Sequence, residues 1–119
     1  MQFMMMVKMR ESQRDAPPEL YAAMDTYISE AVKGGKVVGM GGLKPSAHGA
    51  EVRGSDGRIV VSHGPFAETT ELIGGWAIVE CDSLDEAIEE ARTFIQLHID
   101  NWPGFEGASE VRQVEEMPA

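Results

Sequence analysis

Basic side chains are scarce in this chain. Ten lysines and arginines stand against twenty aspartates and glutamates, a formal charge of −10 at neutral pH. Phosphate polymers and anionic membrane surfaces repel such a charge, which argues against nucleic-acid and membrane-surface binding. Cysteine is scarcer still. Cys81 stands alone, so no internal disulfide can form, and a reducing cytoplasm fits that usage. No apolar run approaches the roughly 18–20 residues of a bilayer span. The opening Met1-Gln2-Phe3-Met4-Met5-Met6-Val7 lacks a basic leader and a small-residue cleavage site, so no signal peptide is expected. Internal repeats, low-complexity tracts and linkers are missing as well. Gly39-Met40-Gly41-Gly42 lacks the spacing of a dinucleotide fingerprint, and Ser62-His63 lacks the glycines of a nucleophile elbow.

What is present describes a globular chain. Its 119 residues are 43% apolar and 25% charged, which predicts one domain over residues 1–119. Phe3, Met5, Val7 and Met9 alternate with Met4, Met6 and Lys8, the pattern of a strand whose two faces both need cover. After the polar stretch Arg10 to Asp15, Pro17-Pro18 opens a helix with the stripe Leu20, Met24, Ile28 and Ala31/Val32, stopped by Gly34-Gly35. Val37-Val38 begins a second strand that soon meets glycines. Asp56-Gly57 between Val52 and Ile59-Val60-Val61 signals a hairpin, with turn residues around it that predict a loop longer than the minimum. His63-Gly64-Pro65-Phe66 reads as a turn, and Gly74-Gly75 opens a strand from Trp76 to Cys81.

Ser83-Leu84-Asp85-Glu86 is a capping box, and the acids near it suit the positive end of a helix dipole. That helix carries the stripe Leu84, Ala87/Ile88, Ala91 and Phe94/Ile95, with His98 just beyond it. Trp102-Pro103-Gly104 leads to a last strand near Glu110 to Val114. The order β-α-β-(ββ)-β-α-β predicts an α+β, ferredoxin-like subunit with an antiparallel sheet. Two helices cover one sheet face. The other, with Met4, Met6 and part of the Trp76–Cys81 strand, predicts a homodimer with sheets packed face to face.

The segment His63-Gly64-Pro65-Phe66-Ala67-Glu68-Thr69, with Glu71-Leu72 and Gly74-Gly75-Trp76, resembles the signature of YCII-related proteins of the DGPF type. The opening Phe3–Lys8, the turn Gly41-Gly42-Leu43-Lys44-Pro45, the closing Glu110-Val111-Arg112 and the tail Trp102–Gly107 support it, so that the resemblance spans nearly the whole chain. It implies a dimeric α+β barrel. Most such proteins have no assigned reaction. Some relatives are associated with small-molecule lyase or dehydrochlorinase chemistry through a proposed His–Asp pair, and DGPF-type members often accompany extracytoplasmic-function sigma factors. The aspartate usual in the motif is His63 here, which puts in doubt any role that needs a carboxylate at that position.

Two functional classes follow from the residues. In the first, a cofactor-independent lyase or isomerase without a metal acts on a small organic molecule. His63 serves as general acid or base, Glu68 orients it, and Lys8, Thr69 and Trp76 bind substrate. In the second, a non-catalytic homodimer binds a small molecule or regulates, and each of these residues has a plainer task. His63 is then a solvated turn residue, and Glu68 and Thr69 shape the loop. Lys8 lies at the sheet edge or pairs with an acid such as Glu80, and Trp76 packs in the core. His48, His63 and His98 show no close ligand spacing, so a metal is not expected. Cys81 within an apolar strand reads as an inert thiol.

Overall fold

A computed structural model describes residues 1–13, 15–67 and 70–117. Strand β1 (Gln2–Arg10) lies inside a four-stranded sheet, paired with β5 (Glu71–Glu80) on one side and β6 (Ala108–Gln113) on the other. Strand β2 (Val37–Gly42) completes the order β2-β5-β1-β6, and every pairing is antiparallel. Helix α1 (Pro18–Lys33) joins β1 to β2, and α2 (Leu84–Asn101) joins β5 to β6. This is the ferredoxin-like α+β arrangement that the pattern predicts.

Local signals set the helix ends. Pro18 takes the first position of α1, where its missing N–H costs no intrahelical bond. Gly35, at φ 74°, turns the chain out of the helix. At α2 the Ser83 side chain accepts from the Glu86 N–H at 3.1 Å. The Glu86 carboxylate reaches back one residue further than in a standard capping box, accepting from the Asp82 N–H at 2.8 Å.

Register sorts the two faces of β1. Phe3, Met5 and Val7 are buried on the helix side, opposite Val79, Ala77 and Gly75 of β5. The core gathers Phe3, Met5, Val79 and Cys81 against Ala87 and Ala91 of α2. On the opposite face Met4 stands between Ile78 and Arg112, and Met6 between Trp76 and Glu110. No helix among the described residues covers that side, and Met4 and Met6 are only half-buried. No helix among the described residues is long and apolar enough to cross a membrane.

Three strand boundaries differ from the sequence pattern. β2 continues through Gly39, Gly41 and Gly42, and β5 begins at Glu71 rather than at Trp76. In both cases the neighbouring strand supplies hydrogen bonds that glycine's weak strand preference does not predict. The last strand begins two residues earlier than expected, at Ala108, because Lys8 pairs with it.

Strands β3 (Ala50–Ser55) and β4 (Arg58–His63) form a separate hairpin. Its loop is the two-residue minimum, shorter than expected: Asp56 and Gly57 both have positive φ, at 53° and 72°, so the strands close directly onto a primed turn. Every residue of both strands is exposed, with Val52 at 67% and Ile59 at 76%.

Phe3 is 1% exposed at the centre of the core. Phe3→Ala is expected to lower unfolding free energy by about 3–5 kcal/mol. A urea titration reads this as a lower midpoint at unchanged slope.

Candidate functional site

The sheet is thin beneath α1. Gly42 of β2 faces Gly75 of β5, and Gly74 lies at the irregularity next to it. These positions offer no side chains to the space under the helix, and Leu20 alone among the α1 residues is fully buried. A cavity of about 390 Å³ results. Met5 and Val7 from β1, Leu20, Met24 and Ile28 from α1, Val37 from β2, Ala77 from β5 and Phe94 from α2 line it. Tyr21 and Leu43, both well exposed, border it as well and mark its open side.

A polar network closes one part of the wall. The Tyr27 hydroxyl donates to Glu90 Oε2 at 2.6 Å, and Lys36 Nζ donates to Glu90 Oε1 at 2.8 Å. Lys36 also lies 2.9 Å from Glu86. Burial works to raise the Glu90 pKa, but the bonds from Lys36 and Tyr27 prevail and hold it below the ordinary carboxylate value. Glu86 is held low by the Asp82 N–H and by Lys36. Bonds to Glu90 and Glu86 push the lysine up, while burial and then Glu90 push the Tyr27 phenol up.

An aromatic series runs along α2 beside the cavity. Tyr27 and Phe94 are 5.6 Å apart, Phe94 and His98 4.8 Å, His98 and Phe105 5.0 Å, and Phe105 and Trp102 5.5 Å between ring centroids. His98 is 2% exposed and borders the cavity. Far from lying beyond the helix stripe, it continues the row Ala87, Ala91, Phe94 at helical spacing. Burial pushes its pKa down, and the bond to the Phe94 carbonyl acts in the opposite direction without reversing this.

The residues singled out in the sequence occupy other places. Lys8 points to the open sheet face and pairs with Glu110 at 2.9 Å, not with Glu80, which meets the N-terminal ammonium at 3.2 Å. Trp76 lies on that same face, half-buried rather than in the core, with its indole over Gly41. A Cβ at Gly41 would fall 2.9 Å from the indole Nε1, so the glycine makes room for the ring. Trp76 also borders the cavity where the sheet is thin. His63 ends β4 and is exposed, and no hydrogen bond or ion pair joins it to Lys8 or to Trp76. Glu68 and Thr69 lie outside the described residues.

The turn after His63 is anchored. Ser46, 8% exposed, donates through its hydroxyl to Glu11 Oε2 at 2.7 Å, and its N–H donates to Glu11 Oε1. The same hydroxyl accepts from the Phe66 N–H at 2.9 Å. The Gly64–Pro65 bond is cis, and a Cβ at Gly64 would fall 1.7 Å from the Ser46 carbonyl oxygen. Sequence reasoning reached His98 only as a histidine without ligand spacing, and it missed Tyr27, Lys36, Glu90 and the Glu11–Ser46 pair as site residues. Only His98 carried a local signal, its helical spacing.

The family model described as the YCII-related domain matches residues 1–117. An uncharacterized protein of Rhizobium meliloti (strain 1021) is 43% identical over 61 residues, 51% of this chain and 49% of that protein. The match thus spans about half the length of that relative.

Two outcomes follow. The depressed Glu90 and Glu86 groups contribute stability above their unfolded pKa, and this is lost as pH falls through their lower folded values. The raised Lys36 contributes below its unfolded pKa and loses its share only as pH rises through its folded value. Glu90→Gln is therefore expected to cost about 1–3 kcal/mol at neutral pH. It should also flatten the acid limb of a plot of urea midpoint against pH. Gly64→Ala drives a methyl into the Ser46 backbone and is expected to cost about 1–3 kcal/mol. Thermal unfolding monitored by circular dichroism reads that loss.

Proposed function

The chain belongs to the family of YCII-related domains, and on that premise we propose that it binds a small, largely apolar organic molecule in the cavity beneath α1. The cavity itself carries this reading. Its volume of about 390 Å³ lies in the range of small-molecule sites, and its wall is mostly hydrocarbon with a few polar groups. Its open side at Tyr21 and Leu43 admits water, and an apolar ligand that displaces this water from the hydrocarbon wall gains free energy.

The binding unit is a homodimer joined through the open sheet face. Met4, Met6, Trp76 and Ile78 form an apolar patch there, edged by Lys8–Glu110 and Arg112. The β3–β4 hairpin adds Val52, Ile59, Val60 and Val61, all exposed, on a two-stranded element that has little stability alone in water. The buried Cys81 thiol, whose pKa burial pushes up, suits a reducing cytoplasm. A role in regulation beside a sigma factor fits a binding protein without requiring turnover.

The catalytic alternative is a cofactor-independent lyase or isomerase in which His63 moves a proton beside Glu68. Its support is the firm docking of Gly64–Phe66 on Ser46, which fixes the backbone next to the imidazole. The exposed ring is far less enclosed than the cavity wall.

Native mass spectrometry of the purified protein is expected to show a dimer with a discrete additional mass. Ala31→Trp, which fills the cavity from α1, should remove that mass and leave the dimer. Met6→Glu should give monomer. Retention of the mass in Ala31→Trp would count against the cavity, and a monomeric wild type against the dimer.

A further inference from the structure

His98 borders the cavity and carries a ring nitrogen that the described residues leave without a hydrogen-bond partner. Its Nδ1 lies 2.8 Å from the Phe94 carbonyl oxygen. A carbonyl only accepts, so Nδ1 carries the hydrogen and Nε2 carries the lone pair. Among the described residues no donor reaches Nε2. Yet among the described residues no fully buried side-chain nitrogen or oxygen lacks a partner. Nε2 therefore belongs to the small accessible area left on this 2% exposed residue, which borders the cavity.

The charges at the cavity wall are already spent on each other. Lys36 is held by Glu86 and Glu90, and Glu90 accepts from both Lys36 and Tyr27. No positive charge is left to hold an anion, and both Glu90 oxygens already accept hydrogen bonds, so an anionic ligand entering this hydrocarbon wall would lose its hydration without a counter-charge. Phe94 packs edge-on to the His98 ring, and Tyr27 and Trp102 add aromatic surface beside it, which favours a flat ring in the ligand.

We infer that the cavity selects an uncharged aromatic molecule bearing a hydroxyl or N–H donor, and that His98 Nε2 accepts that hydrogen. This rests on the cavity being a binding site and goes further by naming the ligand class and the residue that reads it. Phenol-like compounds fit the description. Carboxylates and phosphates do not.

The probes are p-cresol and p-xylene, which differ by a hydroxyl in place of a methyl of similar size. Their affinities for the full chain are measured by displacement of an apolar fluorescent dye, in wild type and in His98→Phe. The readout is the ratio of the two affinities, so a general loosening of the cavity cancels. The ratio of p-cresol to p-xylene binding is expected to fall roughly 5- to 10-fold in the variant, the worth of one hydrogen bond to a buried acceptor. A ratio that stays within about twofold of wild type would overturn the assignment to His98, since one neutral hydrogen bond exceeds that margin. Should His98→Phe not fold, nitrogen NMR of the wild-type imidazole takes its place. The expected spectrum has hydrogen on Nδ1 and an Nε2 resonance that moves with p-cresol but not with p-xylene. Hydrogen on Nε2, or no selective movement, overturns the inference. Binding of p-xylene without any hydroxyl preference defeats this inference and leaves the cavity reading standing, whereas binding of neither probe defeats both.

Discussion

Strand β1 is apolar on both faces, and how each face finds cover governs the rest of the molecule. Phe3 and Met5 are met by Val79, Cys81 and the alanines of α2, a close-packed arrangement in which small helix residues let the helix approach the sheet. The same strand carries Met4 and Met6 outward, where no helix among the described residues covers them. A shift of one residue in the pairing of β1 would exchange these two sets, so the core and the open face are determined together. The hairpin β3–β4 repeats the difficulty on a smaller scale, with valines and an isoleucine that nothing in the same sheet covers.

The helix side is itself uneven. α2 packs through Ala87 and Ala91, whereas α1 stands over glycines. Where Gly42 meets Gly75 a larger pair would reach up into the helix and close the core. In their absence the space stays open and is walled by long, flexible methionines and by rings. The polar groups at its edge are nearly all satisfied internally. Although the chain as a whole is strongly acidic, Lys36 shared between Glu86 and Glu90 leaves this interior wall without a free cation.

Much of the fold was legible in the sequence because its signals are local. The alternation of Phe3 to Met9, the Ser83–Glu86 cap and the Asp56-Gly57 turn each involve residues close in the chain, and each appears where its pattern places it. The glycine-rich parts of β2 and β5 were not legible, since their strand character comes from partners more than thirty residues away. The cavity could not be read for the same reason: it is made by what Gly42 and Gly75 lack once they are side by side. Tyr27 of α1, Lys36 from the link before β2 and Glu90 of α2 meet from three separate parts of the chain. Glu11 and Ser46 meet across a helix and a strand. His98 is the instructive miss, since its spacing from Ala91 and Phe94 put it on the buried stripe, but its polarity suggested an end to that stripe.

The two tryptophans stand on opposite sides of the sheet. Trp76 lies on the uncovered face, with its ring over Gly41, while Trp102 follows α2 beside the cavity and Phe105. Indole emission responds to the polarity and mobility of its surroundings, so the chain carries two native reporters separated by a single layer of strands. In a protein retaining Trp76 alone, which also borders the cavity where the sheet is thin, the fluorescence would follow burial of the sheet face together with filling of the interior. In one retaining Trp102 alone, it would follow the filling of the interior. The difference between the two emissions would isolate changes at the sheet face from changes in the interior without any added label.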